Sequence, residues 1–291
     1  MNILFVGDVV GKLGRKTLER NLSNIINKYD IVFSIVNAEN ITNGRGINLN
    51  HYNFLNKLDF VDAITLGNHY LDKKEELSLF IDNDNVVPPL NSLDDLLKSS
   101  KDNIETRSKL FLVEYMSKVV KIRVTSILGS TFMKEEVISP IKAISYLLDK
   151  IARKEEETKE RDNDIHIIDF HAETNGEKYS IAYYFIGEIS ALIGTHTHVQ
   201  TKDNKLLVSK DNPSLKTLYI SDVGMCGDNL GILGFEYKSV IERQLLGNKK
   251  VSMKLMDDSS TIFSAVILKF DDLSFEPISI TPIYLEESKK K

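Results

Sequence analysis

The stretch NILFVGDVVGKLGR, residues 2–15, sets the pattern from which the fold is predicted. An apolar run typical of a buried strand ends in a short loop that carries the carboxylate Asp8. The same order returns twice, as IVFSIV followed by NAEN (31–40) and as DAITL followed by GNH (62–69). Segments with helical periodicity lie between these runs. The alternation predicts an α/β fold whose parallel or mixed sheet is covered on both faces.

The rest of the chain continues this alternation less regularly. Further strands are predicted from short apolar runs, over residues 119–130, 165–170, 191–194, 217–221, 251–258 and 262–270. Helices are predicted over residues 15–29, 48–58 and 140–164. From about residue 86 to residue 118 the pattern weakens, which favours a surface loop or a short helix. Because no internal repeat or low-complexity linker interrupts the sequence, we expect a single domain over residues 1–285 and a disordered basic tail over 286–291.

Composition narrows the class of protein. A chain of 291 residues can bury a substantial core, and its net charge of −5 argues against a nucleic-acid binder that neutralises many phosphates. The single cysteine, Cys226, excludes an intrachain disulfide and is interpreted as structural. The opening run MNILFVGDVV has no basic leader and is interrupted by Asp8, so it predicts neither a signal peptide nor a membrane span. We therefore expect a cytoplasmic protein with no membrane partner, and the sequence leaves a homo-oligomer open.

Residues that commonly bind metals follow five of the predicted strands. They are Asp8, Glu39, Asn68 with His69, His171, and His196 with His198. Strand ends of this kind converge at one edge of an α/β sheet, so these side chains are expected to meet. Alternate residues of an extended segment would also present His196 and His198 to the same object. Two carboxylates, an amide oxygen and several imidazoles can bind two cations if one carboxylate bridges them; such donors suit iron, manganese or zinc.

Each of these residues also has a structural interpretation when taken alone. Asp8 follows a glycine, as turn residues often do, and Glu39 could belong to the start of a helix. An isolated pair such as His196 and His198 is a weak signal. Recurrence at five strand ends favours the metal site. The remaining histidines lack this placement and are interpreted as structural, since His51 lies in a helical stretch and His166 inside a strand.

The motifs GDVVG, NAEN, GNH, DFHAE and GTHTHVQT, in this order, resemble the calcineurin-type metallophosphoesterases, and specifically their YmdB-like branch. The glutamate of NAEN and the DFHAE block are the features most similar to that branch. SDVGM and GFEYKSVIERQLLG extend the resemblance to about residue 250. The resemblance implies a calcineurin-like four-layer sandwich, in which two mixed β-sheets are stacked between helices.

The resemblance also implies a set of site residues. Asp8, Glu39 and His198 would hold one metal ion. Asn68, His171 and His196 would hold the other together with Glu39, which bridges the two. His69 would remain unligated and face the substrate, and Asn40 is a candidate for substrate contact. We expect two divalent or mixed-valence ions per chain, with iron or manganese favoured and zinc compatible.

The implied activity is that of a phosphodiesterase acting on small phosphodiesters, including 2′,3′-cyclic nucleotides, with 3′,5′-cyclic nucleotides as a further class. Two cations about 3.5 to 4 Å apart can hold a bridging hydroxide that attacks phosphorus, and they offset charge on the phosphoryl oxygens. His69 is the candidate general acid for the leaving alkoxide. Asp72 could orient His69, although a solvated carboxylate at a helix start is the favoured interpretation. Two alternatives stay open: a phosphomonoesterase or nucleotidase with the same site, and a non-enzymatic, metal-dependent regulatory protein.

Overall fold

The computed structural model describes residues 1–81, 83–93, 107–247, 251–257 and 260–288. Within these residues the helices are α1 (Gly11–Tyr29), α2 (Leu49–Asn56), α3 (Lys74–Leu77), α4 (Pro140–Thr158), α5 (Asn175–Tyr184) and α6 (Tyr237–Leu245), with a 3-10 helix over Tyr70–Lys73. The helices predicted from the spacing of apolar residues are confirmed as α1, α2 and α4. Among the described residues, no helix combines the length and the apolar character that crossing a membrane requires.

The first sheet is mixed. Its strands run in the order β2 (Asp8–Val9), β12 (Met225–Asp228), β13 (Thr261–Phe270), β1 (Asn2–Val6), β3 (Ile31–Asn37), β4 (Ala63–Thr65) and β5 (Val86–Val87), and β14 (Pro277–Glu287) also pairs with β13. The strands β1, β3, β4 and β5 are parallel, whereas β13 is antiparallel to each of its neighbours. The parallel strands therefore end at one edge, where their loops can meet.

The second sheet is also mixed. Its order is β10 (Lys205–Val208), β11 (Lys216–Ile220), β9 (Ala191–Thr195), β8 (Ile165–His171), β7 (Lys118–Leu128) and β6 (Ser108–Tyr115). The four central strands are parallel, and β10 and β6 pair with them in the antiparallel direction. This arrangement brings the ends of β8 and β9 side by side.

Alternating side chains hold the layers together. Leu4 of β1 packs in the cluster that contains the apolar faces of α1 and α2, whereas its neighbour Ile3 packs in the cluster that contains Ile167 of β8. The next residue of β8, Ile168, points the other way into a cluster with α4 and α5. Because successive side chains of a strand face opposite sides, each sheet fills a core on both faces. The predicted four-layer arrangement, helices on either side of two stacked mixed sheets, is confirmed.

Several segments differ from the sequence-based predictions. The weakly patterned region contains the strand β6, whose residues Phe111, Val113 and Tyr115 pack inward; apolar Leu110 and Leu112 on the outer face mask the alternation. Residues 94–106 of that region lie outside the described residues. The predicted strand at 251–258 does not form over the described residues 251–257, which instead pair with a tight turn through Glu236 N–H to Lys254 O and Met256 N–H to Gly234 O.

The C-terminal strand β14 was not predicted. It pairs with β13 along its whole length and runs to Glu287, so it takes in the first two residues of the predicted tail. Residues 289–291 of that tail lie outside the described residues. The predicted helix at 140–164 is shorter than expected because Lys159 leaves the helical conformation with φ 60°.

The two histidines interpreted as structural contact side chains away from the strand ends. His51 Nδ1 lies 2.8 Å from Thr42 Oγ1. His166 is buried in β8, and its Nε2 lies 2.9 Å from Thr125 Oγ1. Burial, with nearby Arg123, lowers the pKa of His166 from 6.5 to about 3. The imidazole is therefore neutral in the folded protein over most of the acidic range.

This buried imidazole is expected to make the protein acid-sensitive. The unfolded chain takes up the His166 proton near pH 6.5, whereas the folded protein does so only near pH 3. The free energy of unfolding should therefore fall as the pH falls from 6.5 towards 3, by up to about 1.4 kcal/mol per pH unit from this group. Urea unfolding at several pH values should show a shallower pH dependence for His166→Gln. An unchanged slope in that variant would contradict the assignment.

Candidate metal centre

The candidate metal-binding and catalytic residues converge where the parallel strands end. Asp8 opens β2, Glu39 follows β3, Asn68 and His69 follow β4, His171 ends β8, and His196 and His198 follow β9. The register of the second sheet pairs His171 with Thr195, the residue before His196. The two sheets thus contribute to one site from opposite sides, as the positions at the strand ends predict.

One group of potential metal donors surrounds the Nε2 atom of His171. This atom lies 2.9 Å from Asn68 Oδ1, 3.0 Å from His196 Nδ1 and 3.2 Å from Glu39 Oε2. Glu39, His171 and His196 each offer one donor atom within 4.8 Å of the others. The resemblance implies that these three residues and Asn68, which lies beside them, share one ion.

A second group shares Glu39 with the first. It contains Asp8, Glu39 and His198, whose donor atoms also lie within 4.8 Å of one another. His198 Nε2 lies 2.9 Å from Asn40 Oδ1, so the amide of the substrate-contact candidate adjoins this group. Glu39 is the one carboxylate common to both groups that the described residues form.

Two features show that the residues fit cations. Asp8 is fully buried and its Oδ1 accepts no hydrogen bond from the described residues, and this burial raises the pKa of its carboxyl group well above the usual value. A buried acceptor without a partner is costly, and a cation would satisfy it. In addition, a Cβ atom at Gly67 would clash with Glu39 Oε2 and would lie 2.6 Å from the His171 ring, so only glycine leaves the space between these donors open.

The orientation of His171 is fixed by a chain of hydrogen bonds behind it. The Thr195 hydroxyl group donates to Asp169 Oδ1 at 2.6 Å, so it accepts from His171 Nδ1 at 2.8 Å. Asp169 also accepts from Asn37 Nδ2 at 2.9 Å, and Asn37 Oδ1 accepts from the Glu39 N–H at 3.1 Å. A proton held on Nδ1 leaves the Nε2 lone pair free for a metal ion. Sequence reasoning missed Asp169, although a carboxylate inside the apolar run IHIIDF is the signal that could have found it.

The histidine pair is presented by a loop rather than by an extended strand, which corrects one expectation. Strand β9 ends at Thr195, and His196 and His198 adopt φ angles of 97° and 65°. Their imidazoles therefore do not share one face by strand alternation, and they belong to different donor groups. Left-handed conformations of non-glycine residues persist where the surroundings enforce them.

A buried ion pair enforces this loop conformation. Asp222 Oδ2 accepts from Thr197 N–H at 2.9 Å and from Lys178 Nζ at 3.1 Å, and Lys178 Nζ also donates to Thr195 O at 2.8 Å. Both charged side chains are completely buried. The sequence did not predict this pair, because its members lie 44 residues apart on a helix and a loop with no pattern that links them.

Replacing Lys178 with Met is expected to lower the free energy of unfolding by about 3–5 kcal/mol, because Asp222 would remain buried without its cation. Chemical denaturation measures this loss. The matched control is Lys216→Met, which removes the partly exposed pair with Glu276 and should cost less than about 1 kcal/mol. Equal effects of the two Lys→Met changes would show that the buried pair has no special role.

His69 lies beside the donor groups without joining either. Its backbone N–H donates to Glu39 Oε2 at 3.1 Å, and its Nδ1 lies 3.0 Å from Asp72 Oδ2. The orienting role of Asp72, the less favoured interpretation from the sequence, thus has the contact that it requires. With Nδ1 engaged by Asp72, Nε2 is the ring nitrogen left for a ligand.

A cavity of about 330 Å³ opens over these residues. Its polar lining consists of Glu39, Asn40, Arg45, His69, Glu173, His196, Thr197 and His198. Its apolar lining consists of Ile232, Leu233, Phe235, Val240 and Met253. The cavity therefore joins the candidate metal centre to an apolar wall, within the size range of about 300–1,000 Å³ common for small-molecule sites.

Comparison with known proteins gives consistent matches. The sequence model of a family described as YmdB-like protein matches residues 4–283. The chain is 32% identical to a 2′,3′-cyclic-nucleotide 2′-phosphodiesterase of Bacillus subtilis, over 99% of this chain and 98% of that protein. It is 34% identical to a putative phosphatase/phosphodiesterase of Mycoplasma genitalium, over 86% of this chain and 81% of the relative. The crystal structure of a phosphatase from Mycoplasma pneumoniae superposes with a TM-score of 0.82 at 31% identity, covering 99% of this chain and 94% of the other.

Proposed function

The chain belongs to the YmdB-like protein family, as its motifs predicted, and from this premise we propose that it is a metal-dependent phosphodiesterase acting on 2′,3′-cyclic nucleotides. One observation carries the proposal: the carboxylate of Glu39 belongs to both groups of potential metal donors, and it lines the cavity above them. A carboxylate in that position is what a two-ion site requires. The 3′,5′-cyclic nucleotides are a second proposed substrate class.

The proposed ligands follow from the two groups. Asp8, Glu39 and His198 hold one ion, and Glu39, Asn68, His171 and His196 hold the other. Oxygen and imidazole donors without a thiolate favour iron or manganese and are compatible with zinc. When bound, two such ions supply an activated water at neutral pH and offset negative charge on the phosphoryl oxygens.

The protein side chains supply positioning and proton transfer. Hydrolysis forms one bond from a water oxygen to phosphorus and breaks one bond from phosphorus to a ribose oxygen, which needs a proton as it leaves. His69 Nε2 is the proposed donor of that proton, and Asp72 holds the ring in orientation through Nδ1. Asn40, whose amide group lies between Gly44 O and His198, is proposed to contact the phosphoryl group.

Further proposals concern the chain as a whole. We propose that residues 1–285 act as a single domain, which the family match over residues 4–283 supports. The single cysteine, buried at Cys226, supports the expected reducing, cytoplasmic location.

The decisive experiment compares the turnover of phosphodiesters with that of a phosphomonoester, using protein whose metal content has been measured. Purified protein is stripped by a chelator, reloaded with iron, manganese or zinc, and assayed on bis(p-nitrophenyl) phosphate, p-nitrophenyl phosphate, and 2′,3′- and 3′,5′-cyclic nucleotides. Metal-dependent turnover of diesters without turnover of the monoester is the expected result. Preference for the monoester would favour the phosphomonoesterase alternative. Metal binding without turnover of any ester would favour the regulatory one.

A further inference from the structure

The apolar wall of the cavity has no role in the chemistry proposed above. Five of its side chains, those of Ile232, Leu233, Phe235, Val240 and Met253, carry no nitrogen or oxygen atom. Leu233 is nevertheless 44% exposed beside a floor of charged and polar groups. Exposed apolar surface that lines a cavity commonly marks a place where a ligand is bound.

The turn that carries most of the wall is held by its own hydrogen bonds. Ile232 and Phe235 exchange two backbone hydrogen bonds, of 2.8 and 3.0 Å, across a turn in which Leu233 and Gly234 adopt φ angles of 53° and 91°. Asp228 accepts from the backbone N–H groups of Leu230 and Gly231 at the start of the turn. A ligand surface that is fixed before binding costs less free energy to occupy.

The wall is also joined to the metal centre. Leu233 O lies 3.3 Å from His198 Nδ1, and the other ring nitrogen of His198 faces Asn40 beside the second donor group. A ligand with its phosphoryl group at the donors therefore has its adjoining group next to Leu233. The aromatic residue Phe235 lines the same wall.

We propose that this wall, formed by Leu233 and Phe235 with their apolar neighbours, is a nucleobase subsite that contacts the face of the base and does not select among the four bases. The proposal rests on the proposed function, because it places the phosphoryl group at the metal centre. A flat, apolar face is what a base offers, and aromatic side chains bind such faces with little sequence preference. Since the five wall side chains offer no hydrogen-bonding nitrogen or oxygen, they have no means of reading the edge of a base.

Equilibrium binding tests this subsite without requiring turnover. The metal-loaded protein is titrated calorimetrically with the four nucleoside 3′-monophosphates and, for comparison, with ribose 5-phosphate. Each nucleotide should bind roughly five- to a hundredfold more tightly than ribose phosphate, the range that stacking of one base supplies. The Leu233→Asn variant should lose part of this advantage, since Phe235 remains in place, and asparagine tolerates the positive φ of the position.

The matched control is Leu230→Asn in the same turn, because Leu230 is 66% exposed and does not line the cavity. This variant should keep the full difference in affinity between the nucleotides and ribose 5-phosphate. Equal affinity for the two ligand types in the unchanged protein, including no binding of either, would overturn the subsite. Selection of one base over the others by more than about a hundredfold would overturn the lack of selectivity. Absence of phosphodiesterase turnover would instead count against the proposed function alone, because binding is measured separately.

Discussion

The Glu39→Gln variant is expected to lose most of its bound metal and to lose phosphodiesterase activity by about a thousandfold or more, as happens when one member of a site that acts as a unit is removed. Glu39 belongs to both donor groups, so its charge would serve both ions. A neutral amide cannot offset the charge of two dications to a comparable extent. Metal content by elemental analysis and turnover of a diester are the two measurements.

Two comparisons make this result specific. Glu173→Gln changes a carboxylate that lines the same cavity and lies 3.0 Å from His196 Nε2 but belongs to neither donor group, so this variant should keep its two ions. The amide oxygen introduced by Glu39→Gln can still accept the hydrogen bond that Glu39 Oε2 accepts from the His69 N–H. The thermal unfolding midpoint of the metal-free variant is the second comparison, because it separates a loss of metal from a loss of the fold. If Glu39→Gln kept two metal ions per chain and near-normal turnover, Glu39 would not be the carboxylate that bridges the two ions.

The sequence predicted those strands and helices whose pattern of apolar residues matches their burial in the folded protein. Strands β1, β3 and β8 are buried on both faces and therefore read as largely apolar runs, and a polar residue at the sheet edge ends or follows each of them. Helix α1 shows its buried face as a helical repeat. The convergence of Asp8, Glu39, His171 and the His196 loop follows from these strand ends alone.

The unpredicted parts depend on pairings between distant residues. Strand β6 carries apolar residues on both faces, and it becomes a strand only because β7 pairs with it. The pair of Lys178 and Asp222 and the chain from Thr195 to Asp169 unite residues from different elements, with no repeat that would reveal them. The apolar wall at Leu233 is likewise a tertiary feature, since its residues come from a turn, a helix and the segment 251–257.

The second large effect is expected for His69→Ala. General acid catalysis contributes roughly a hundredfold to ten-thousandfold in rate, so kcat for a 2′,3′-cyclic nucleotide should fall by about that factor. The metal content should stay near normal, because His69 belongs to neither donor group among the described residues. Asp72→Asn should lower kcat in the same direction but less, since it only weakens the contact of 3.0 Å that orients the ring.

The leaving group distinguishes proton donation from other roles of His69. A ribose alkoxide is a poor leaving group that needs a proton, whereas a nitrophenolate departs without one. His69→Ala should therefore slow cleavage of the cyclic nucleotide far more than cleavage of bis(p-nitrophenyl) phosphate. Equal losses on the two substrates would mean that His69 stabilises charge on the phosphoryl oxygens instead. Loss of metal from the variant would place His69 among the ligands, although its Nδ1 faces Asp72 and only its backbone N–H contacts Glu39.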